Sequence, residues 1–200
     1  MPVPTIYLAS ESPRRRELLA IMGVDFTVMP ANIDETPLPG ELPDVYVRRM
    51  AIEKTRAVRA GLAMTEDTLV LGADTAVVLD DAMLGKPQGR ESAMAMLTAL
   101  SGQTHVVLSG VALSAVDRDE VVVSRTEVCF RPIKTAEMAA YWETGEPADK
   151  AGAYGIQGLG GVFVRWIKGS YSGVVGLPVY ETAELLGRFG CSLPDDRRNI

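Results

Sequence analysis

Two long apolar stretches near the middle of the chain constrain the fold most strongly. The segments THVVLSGVALSAVD and EVVVSRTEVCFRP are rich in β-branched residues and are separated only by the few residues around Asp117–Asp119. This composition and spacing predict two long antiparallel strands joined by a short connection. Because helix-type and strand-type segments intermix along the rest of the chain, we expect a mixed-sheet α/β or α+β fold and not a purely parallel one.

The remaining segments alternate between strand and helix patterns. Strands are predicted over TIYLA (5–9), over DFTVM (25–29), over TLVLGAD and TAVVLDD on either side of a kink, and over VFVRWIKG. Helices are predicted from the Ser12–Pro13 pair to Gly23, from Asp44 to about Ala63, over RESAMAMLTAL, over TAEMAAYWETG with Thr135 as the cap, and from Pro178 to about Phe189. No repeat or low-complexity linker divides the 200 residues, so we expect one domain over 1–200 with a frayed tail from about residue 190.

Composition and charge exclude several classes of protein. The net charge of −6 and the pI near 4.9 argue against stable nucleic-acid binding, because such proteins usually carry a basic surface. The two cysteines match no metal-binding spacing and suit a reducing compartment. No run approaches the ~20 apolar residues of a membrane span, and the N-terminus does not resemble a signal peptide. We therefore expect a cytoplasmic protein without membrane attachment.

Three consecutive arginines follow the first predicted strand in LASESPRRRELL, residues 8–19. Cations at a helix N-terminus oppose the helix dipole at a cost of about 0.3–1 kcal/mol each. The same terminus is a ready anion site, and arginine offers a fixed fork of donors to phosphate oxygens. The stretch therefore favours a phosphate site built from Ser10, Ser12 and the arginines. The alternative is that the arginines are solvated charges paired with nearby glutamates.

A second candidate site lies in LGADTAVVLDDAMLGKP. Asp74 follows an apolar run between small residues, so we expect it at the end of a strand. A carboxylate there can hold a hard metal ion or take a proton from water. The alternative is an aspartate that only forms a turn. Lys86 stands between a glycine and a proline and adds a cation in a rigid loop.

Further candidates lie in the loop after the second strand and in a late glycine-rich segment. The loop carries Asp34 and Glu35, and adjacent acids in a loop are usually exposed to solvent. The long helix after the loop carries Lys54. The Arg48–Arg49 pair is predicted to be a solvated helix face. DKAGAYGIQGLGG contains five glycines, which allow the backbone to approach a ligand closely, although the pattern is neither a P-loop nor GxGxxG.

Other catalytic chemistry is weakly supported by the sequence. His105 is the single histidine and lies in an apolar strand, so we expect a structural or surface role. Zinc catalysis with several histidines is therefore excluded. We expect Cys129 in the core and Trp142 and Trp166 to be packing residues.

Taken together, the candidate residues are of the types that bind a polyphosphate. Arg14, Arg15, Lys54 and Lys86 would neutralise phosphates, and Glu35 and Asp74 would suit a divalent cation. Mg²⁺ prefers one or two carboxylates together with waters and substrate phosphates. The reaction class that follows is metal-assisted phosphoryl or nucleotidyl transfer to water.

Four segments of the chain resemble the signature blocks of the Maf family of nucleoside triphosphate pyrophosphatases. They are LASESPRRRELL, GADTAVVLDDAMLGKP, DKAGAYGIQGLGG and GSYSGVVGLPVYET, and they span residues 5 to about 188 in order. The resemblance implies a fold like that of inosine triphosphate pyrophosphatases, with two lobes around a cleft, in a protein that is often a homodimer. It also implies hydrolysis of a nucleoside triphosphate to the monophosphate and pyrophosphate, assisted by Mg²⁺ or a similar metal such as Mn²⁺.

The resemblance further implies roles for individual residues. Asp74 would be the general base, and Glu35 would join it near the metal. The phosphates would be held by Ser10, Arg14, Arg15, Lys54 and Lys86. Gln157 would face the base.

Three positions resemble the subfamily that acts on dTTP and UTP. They are Arg14, Thr75 and Gln157, where members acting on 7-methyl-GTP typically carry Trp, Gln and Glu. An amide donates and accepts hydrogen bonds together, which suits the carbonyl and N3–H edge of thymine or uracil. The expected function is therefore a dTTP/UTP pyrophosphatase that removes excess or non-standard nucleotides.

Two alternatives stay open at this point. One is an enzyme of the same fold with another substrate, such as 7-methyl-GTP or a modified pyrimidine triphosphate. The other is a non-catalytic regulator of cell division and septum formation. Such an interaction protein should expose an apolar patch, and it gives no reason for Asp74, Lys86 and Glu35 to occur together.

Overall fold

The computed structural model describes residues 4–191 and residue 193, and the predicted frayed tail lies almost wholly outside these residues. The strands of the described chain are β1 Thr5–Leu8, β2 Phe26–Val28, β3 Thr68–Leu79, β4 Ala82–Leu84, β5 Thr104–Ser114, β6 Asp119–Phe130 and β7 Val164–Lys168. The α-helices are α1 Pro13–Ile21, α2 Pro43–Arg59, α3 Arg90–Leu100, α4 Thr135–Glu143, α5 Tyr171–Val175 and α6 Val179–Arg188. Three 3₁₀ segments lie between α4 and β7, at Glu146–Asp149, Ala151–Ala153 and Leu159–Phe163.

Within the described residues, all seven strands belong to one mixed sheet. Its order is β2-β1-β3-β5-β6-β7, and β4 pairs with β3 outside this path. β1 runs parallel to β2 and to β3, and the other pairs are antiparallel. The prediction of a mixed sheet with a long antiparallel pair is confirmed, because β5 and β6 pair along their length from Thr104↔Cys129 to Ser114↔Asp119.

The predicted kink between TLVLGAD and TAVVLDD is wrong. β3 is one continuous strand of twelve residues, because Val70–Val78 pair residue by residue with Val106–Ser114 of β5. Asp74 therefore lies in the middle of a strand, where it faces Gly110, and not at a strand end as its sequence context suggested. A long ladder on one side holds the strand straight even where small residues would permit a bend.

The other side of β3 has a gap. β1 accompanies β3 only as far as Leu71, and β4 pairs with it from Val77 to Leu79. Between these points, residues 72–76 of β3 have no partner strand on that side in the described chain. Side chains from both faces of the sheet can be reached through this gap.

Helix α2 covers one face of the sheet at very short range. A Cβ on Gly110 would lie 2.5 Å from the Val47 carbonyl oxygen, and one on Gly72 would collide with the carbonyl of Ala51. Glycine is therefore required at both positions, because only a residue without a side chain lets the helix lie directly on the strands. Lys54 of α2 reaches Asp74 across this contact.

The opposite face carries two apolar clusters. One contains Leu71, Ala73 and residues of α1 and α6, and the other contains Val77, Val107 and residues of α3 and α4. Between them, Thr75, Ser109 and Ser124 lie side by side on neighbouring strands. This row of hydroxyls separates the two cores and gives the fold its two halves.

Several local expectations need correction. Helix α2 ends at Arg59 and not near Ala63, and β4 and α5 were not foreseen. Thr135 is the first residue of α4 and not its cap; the Glu137 carboxylate accepts from the Lys134 N–H instead. Trp166 is 42% exposed, whereas Trp142 packs against the second core. Cys129 is only half-buried.

Among the described helices, none combines the length and apolar composition that a membrane crossing needs.

Candidate active site

A cleft of about 920 Å³ opens at the gap beside β3. Its lining includes every residue to which the family resemblance assigned a role: Ser10, Arg14, Arg15, Glu35, Lys54, Asp74, Thr75, Lys86 and Gln157. These nine residues come from six separate parts of the chain, and the fold brings them to one cavity.

The start of α1 forms one wall of the cleft. The helix begins as predicted, with Pro13 as its first residue and the Ser12 hydroxyl accepting from the Arg15 N–H. The Ser12 side chain therefore caps the helix. The Ser10 hydroxyl accepts from the Ser12 N–H at 3.2 Å and from Arg15 Nη1 at 3.3 Å, which places it beside the guanidinium.

The three arginines have different environments. Arg15 lies across the floor of the cleft, where Nε donates to the Gly176 carbonyl at 2.9 Å and Nη2 lies 3.5 Å from Thr75 Oγ1. Arg14 is half-buried and lies 3.6 Å from Asp149, whereas Arg16 is exposed. Only two of the three arginines therefore face the cleft.

Lys54 joins two carboxylates on the α2 face of the sheet. Its Nζ lies 2.7 Å from Asp74 Oδ1 and 2.7 Å from Glu35 Oε1. Lys54 and Asp74 are each only 6% exposed, whereas Glu35 is half-exposed toward the cleft. The two carboxylates thus converge on one cation.

Burial and neighbouring charges shift the pKa values of Glu35 and Arg15. Partial burial acts to raise the pKa of Glu35, but the hydrogen bond from Lys54 and the charges of Lys54, Lys86 and Arg15 lower it overall. Burial lowers the pKa of Arg15, and the negative charges of Asp74 and Glu35 oppose this effect. Glu35 is therefore ionised, and its charge interacts with those of Lys54, Lys86 and Arg15.

The loop that carries Glu35 is held by the first turns of α2. Arg49 binds both carboxylate oxygens of Glu41 at 2.6 Å and also donates to the Thr36 carbonyl. The Tyr46 hydroxyl donates to the Glu35 carbonyl at 3.0 Å. Arg49 is thus a structural clamp and not the solvated charge that the sequence suggested, whereas Arg48 is exposed.

Asp74 and Thr75 point to opposite faces of the sheet. Asp74 meets Lys54 of α2, whereas the Thr75 hydroxyl lies 2.9 Å from that of Ser109, which in turn donates to the Gly173 carbonyl of α5. Thr75 therefore reaches the cleft from the side of Arg15. The gap in the sheet lets one cavity use both faces.

The far wall of the cleft is formed by the glycine-rich segment and by the loop after β4. Lys86 is exposed there, and the preceding Gly85 is fixed by a hydrogen bond from Gly152 N–H. Gln157 is also exposed and lines the cleft next to Tyr154. These side chains can meet a ligand without displacing protein contacts.

Sequence reasoning missed two residues of this wall, Glu146 and Tyr154. Glu146 binds the glycine-rich segment through its carboxylate and lines the cleft. Tyr154 lies in the lining, and its hydroxyl is 2.9 Å from His105 Nε2. His105 is 1% exposed and takes the structural role that the sequence favoured. All three contacts join segments far apart in the chain, which explains why no local pattern indicated them.

The cleft is not uniformly positive. Its lining holds the cations Arg14, Arg15, Lys54, Lys86 and Lys150 and the carboxylates of Glu11, Glu35, Asp74, Glu146 and Asp149. Asp149 pairs with Arg14 and Lys150, and Glu35 and Asp74 share Lys54. A phosphate ligand would therefore have to replace carboxylates that already pair with these cations.

The carboxylates of the cleft could hold a metal ion only together with a ligand. In the described residues, no group of three or more His, Cys, Asp or Glu side chains could bind a metal. Glu35 and Asp74 nevertheless direct oxygens at one point, and two carboxylates completed by phosphate oxygens and waters suit Mg²⁺. The residues present therefore fit a metal that is bound jointly with a phosphate ligand.

Comparison with known protein families shows which family the chain belongs to. The model of the Maf-like protein family matches residues 5–189. The chain belongs to the Maf family. This confirms the family resemblance of the four sequence blocks and the predicted mixed α/β fold class.

Curated relatives in the Maf family are similar to the chain over nearly its whole length. A protein named dTTP/UTP pyrophosphatase from Pseudoalteromonas atlantica is 52% identical over 184 residues, which is 92% of this chain and 96% of that protein. A protein of the same name from Alkalilimnicola ehrlichii is 52% identical over 93% of each chain. A third, from an Anaeromyxobacter species, is 54% identical over 96% of this chain and 92% of that one.

Among solved structures, the Staphylococcus aureus Ham1 protein is a distant match to this Maf chain. The TM-score is 0.46 and the identity 16%, over 63% of this chain and 71% of that one. We draw nothing from this likeness.

Proposed function

We propose that this protein is a pyrophosphatase that hydrolyses dTTP and UTP to the monophosphate and pyrophosphate. The observation that carries the proposal is the composition of the cleft. It brings together four cationic side chains suited to phosphate, two carboxylates that converge on one point, and the exposed amide of Gln157. The relatives named dTTP/UTP pyrophosphatase, at about half identity over most of the chain, support the same substrates. The presence of Arg14, Thr75 and Gln157 also fits the pyrimidine subfamily.

In this proposal the triphosphate lies along the wall formed by α1. Ser10, Arg14 and Arg15 would bind phosphate oxygens from one side, and Lys54 and Lys86 from the other. Arg15 is suited to this because its contacts with Gly176 and Thr75 already fix the plane of the guanidinium. A preorganised cation stabilises developing charge without reorganisation during the reaction.

Asp74 would take the proton from the attacking water as the α–β phosphoanhydride bond breaks. Its burial in mid-strand and its bond to Lys54 hold the carboxylate in one position. A general base must lie within hydrogen-bond reach of the water it activates, which requires such positioning. The gap beside residues 72–76 of β3 leaves room for a water next to it.

Glu35 and Asp74 would also hold a divalent cation, Mg²⁺ or Mn²⁺, when the nucleotide is present. When bound, such an ion neutralises charge on the phosphate oxygens. Because the Lys54 ammonium lies 2.7 Å from each carboxylate, we expect the cation to bind when a phosphate group draws Lys54 away. Glu35 is the more accessible of the two carboxylates, since its side chain is half-exposed.

The test is pyrophosphate release from a panel of canonical and modified triphosphates, with and without Mg²⁺. We expect dTTP and UTP to be the fastest substrates and activity to require the metal. Equal or faster hydrolysis of 7-methyl-GTP would overturn the pyrimidine assignment but keep the enzyme class. Absence of pyrophosphate release from every triphosphate would overturn the proposed function.

The Asp74→Asn variant tests the mechanism within this assay. We expect the rate to fall by roughly 10²–10⁴-fold, as for loss of a general base, with little change in thermal stability. Asp34→Asn is the matched control, because Asp34 is an exposed neighbour of Glu35 and its backbone contact to Thr36 survives in asparagine. Turnover near that of the control would remove Asp74 from the mechanism.

A further inference from the structure

Glu146 stands at the centre of the contacts that shape the glycine-rich wall of the cleft. Its Oε1 accepts from the Tyr141 hydroxyl at 2.7 Å and from the Gly160 N–H at 3.1 Å. Its Oε2 accepts from the Leu159 N–H at 2.8 Å. The carboxylate thus binds two consecutive backbone amides from a distance of 13 and 14 residues along the chain.

Tyr141 extends the same network to the other end of the segment. Its hydroxyl accepts from the Gly155 N–H at 3.1 Å while donating to Glu146. Residues 155 and 159–160 are therefore fixed to one carboxylate–hydroxyl pair. Gln157 lies between these two attachment points and is exposed to the cleft.

Two glycines of the segment, Gly158 and Gly160, are explained by the same pair. A Cβ on Gly158 would collide with the Glu146 carboxylate, and one on Gly160 would lie 2.5 Å from the Tyr141 hydroxyl oxygen. The side chains of Glu146 and Tyr141 thus occupy the space that side chains of the loop would need. The loop is shaped to close around the carboxylate.

Glu146 remains charged in this position. Burial acts to raise its pKa, but the hydrogen bonds from Tyr141, Gly160 and Leu159 and the charge of Lys150 lower it overall. The Lys150 ammonium bonds to Asp149 and to the Glu146 carbonyl, so no described ion pair competes for the carboxylate oxygens. A carboxylate that accepts several N–H bonds makes strong, charge-assisted hydrogen bonds.

We propose that Glu146 is a positioning residue for recognition of the nucleobase: it fixes the loop that presents Gln157, without touching the phosphates. The inference rests on the proposed function, since it assigns the glycine-rich wall to the base of the substrate. Glu146 holds the loop in its binding conformation before the ligand arrives, which removes an ordering cost from binding. Its loss should therefore affect binding of the nucleoside part and spare the triphosphate part.

The test compares Glu146→Gln with Glu143→Gln. Glutamine keeps the size of the side chain, but its amide nitrogen cannot accept from the loop N–H that it faces. Glu143 is a suitable control because its side chain is 71% exposed and its recorded ion pair, with Arg90, is 3.6 Å long. For each protein we would measure kcat and KM for the fastest triphosphate of the panel, and the inhibition constant of inorganic tripolyphosphate, which has no base.

We expect Glu146→Gln to raise the nucleotide KM by roughly 10–100-fold, with a change of only a few-fold in kcat and in the tripolyphosphate constant. Glu143→Gln should match the wild type. A parallel rise in the nucleotide KM and the tripolyphosphate constant would show general damage to the cleft and overturn the proposal. An unchanged nucleotide KM would overturn it as well.

Tyr141→Phe provides a second variant that keeps the buried ring and removes only the hydroxyl. It should raise the nucleotide KM in the same selective way by a few-fold, so the proposal stays testable if Glu146→Gln folds poorly. An unchanged KM in a folded Tyr141→Phe protein would contradict the network. If the wild type hydrolyses no triphosphate, the proposed function itself fails, and base recognition by this loop fails with it.

Discussion

Lys54 is the shared counter-ion of the two carboxylates Asp74 and Glu35. Its ammonium lies at equal distance from Asp74 and Glu35, close to where a divalent cation would have to bind. A fixed positive charge at that point repels a second cation by several kcal/mol even at an effective dielectric constant of about 20. The ligand-free protein should therefore bind Mg²⁺ or Mn²⁺ weakly.

Replacement of Lys54 by glutamine tests this idea without any turnover. We expect Mn²⁺ to bind the nucleotide-free variant at least ~10-fold more tightly than the wild type, because two carboxylates lose their shared counter-ion. Titration calorimetry or the electron paramagnetic resonance signal of free Mn²⁺ would measure it. Lys86→Gln is the comparison: its charge also lowers the pKa of Glu35, but it does not bridge the carboxylates, so we expect a smaller gain in Mn²⁺ binding. Equal or weaker Mn²⁺ binding by the Lys54 variant would contradict the prediction.

The residues of the site were accessible to sequence reasoning to different degrees. Arg15 and Asp74 lie in motifs whose residue types suit phosphate and metal, and Lys54 lies in a predicted helix; the structure brings all three to one cleft. Glu146 carries no such signal, because an acid in a turn is usually solvated and its partners are backbone amides more than ten residues away. Contacts to backbone leave no side-chain pattern to detect.

At the scale of elements, the close approach of α2 to the sheet holds Asp74 and Lys54 together. Gly110 of β5 is the register partner of Asp74, and its Cα faces the Val47 carbonyl of α2. Packing at this distance leaves no room for a methyl group. The position of α2 on β3 and β5 therefore depends on the absence of a side chain at Gly110.

The Gly110→Ala substitution should separate α2 from β3 and β5. We expect a loss of about 2–3 kcal/mol in the free energy of unfolding from overpacking, together with reduced activity as Lys54 moves away from Asp74. Gly187→Ala is the matched control: it lies in α6 with nothing within 4 Å of a new Cβ. Removing a helical glycine should stabilise by about 0.5–1 kcal/mol. Urea unfolding measures both, and equal stability of the two variants would argue against the close contact.

At the scale of the whole molecule, His105 makes global stability depend on pH. It lies on β5, between β3 and β6, and its ring packs edge-on against Phe130 and Tyr154 with centroids 4.9 and 5.5 Å apart. Burial lowers the pKa of His105 to about 4, and its Nδ1 is buried without a partner. The folded protein therefore favours the neutral form of the ring.

The sign of the effect follows from proton linkage. The native state keeps His105 neutral down to about pH 4, whereas the unfolded chain binds a proton below about pH 6.5. The stability contributed by the neutral ring is therefore present above pH 6.5 and is lost as the pH falls toward 4. Glu41 and Glu137 have pKa values lowered to about 2 by Arg49 and Arg131, so their contributions are lost only in more acidic solution.

We expect the free energy of unfolding to fall by about 2 kcal/mol between pH 7 and pH 5 through this one group. Urea unfolding at several pH values measures it. His105→Gln should flatten the dependence in this window, even if the variant is less stable throughout. The same slope in the variant would assign the effect to other groups.

The sequence by itself determined the order and type of most elements, because apolar periodicity, capping residues and glycines act over a few residues. It also identified the family and several charged residues of the cleft, among them Arg15 and Asp74, since these occur in contiguous motifs. It failed on β3, where the ladder with β5 overrides a local tendency to bend.

Only the tertiary structure decided how the motifs meet. The cleft exists because β1 leaves β3 after Leu71 and β4 joins it at Val77, and neither end is visible in the sequence of β3. The same gap lets Asp74 and Thr75 act from opposite faces, and the Gly110 contact places Lys54 between two carboxylates. These are distances between segments far apart in the chain, and they are set by packing of the whole molecule.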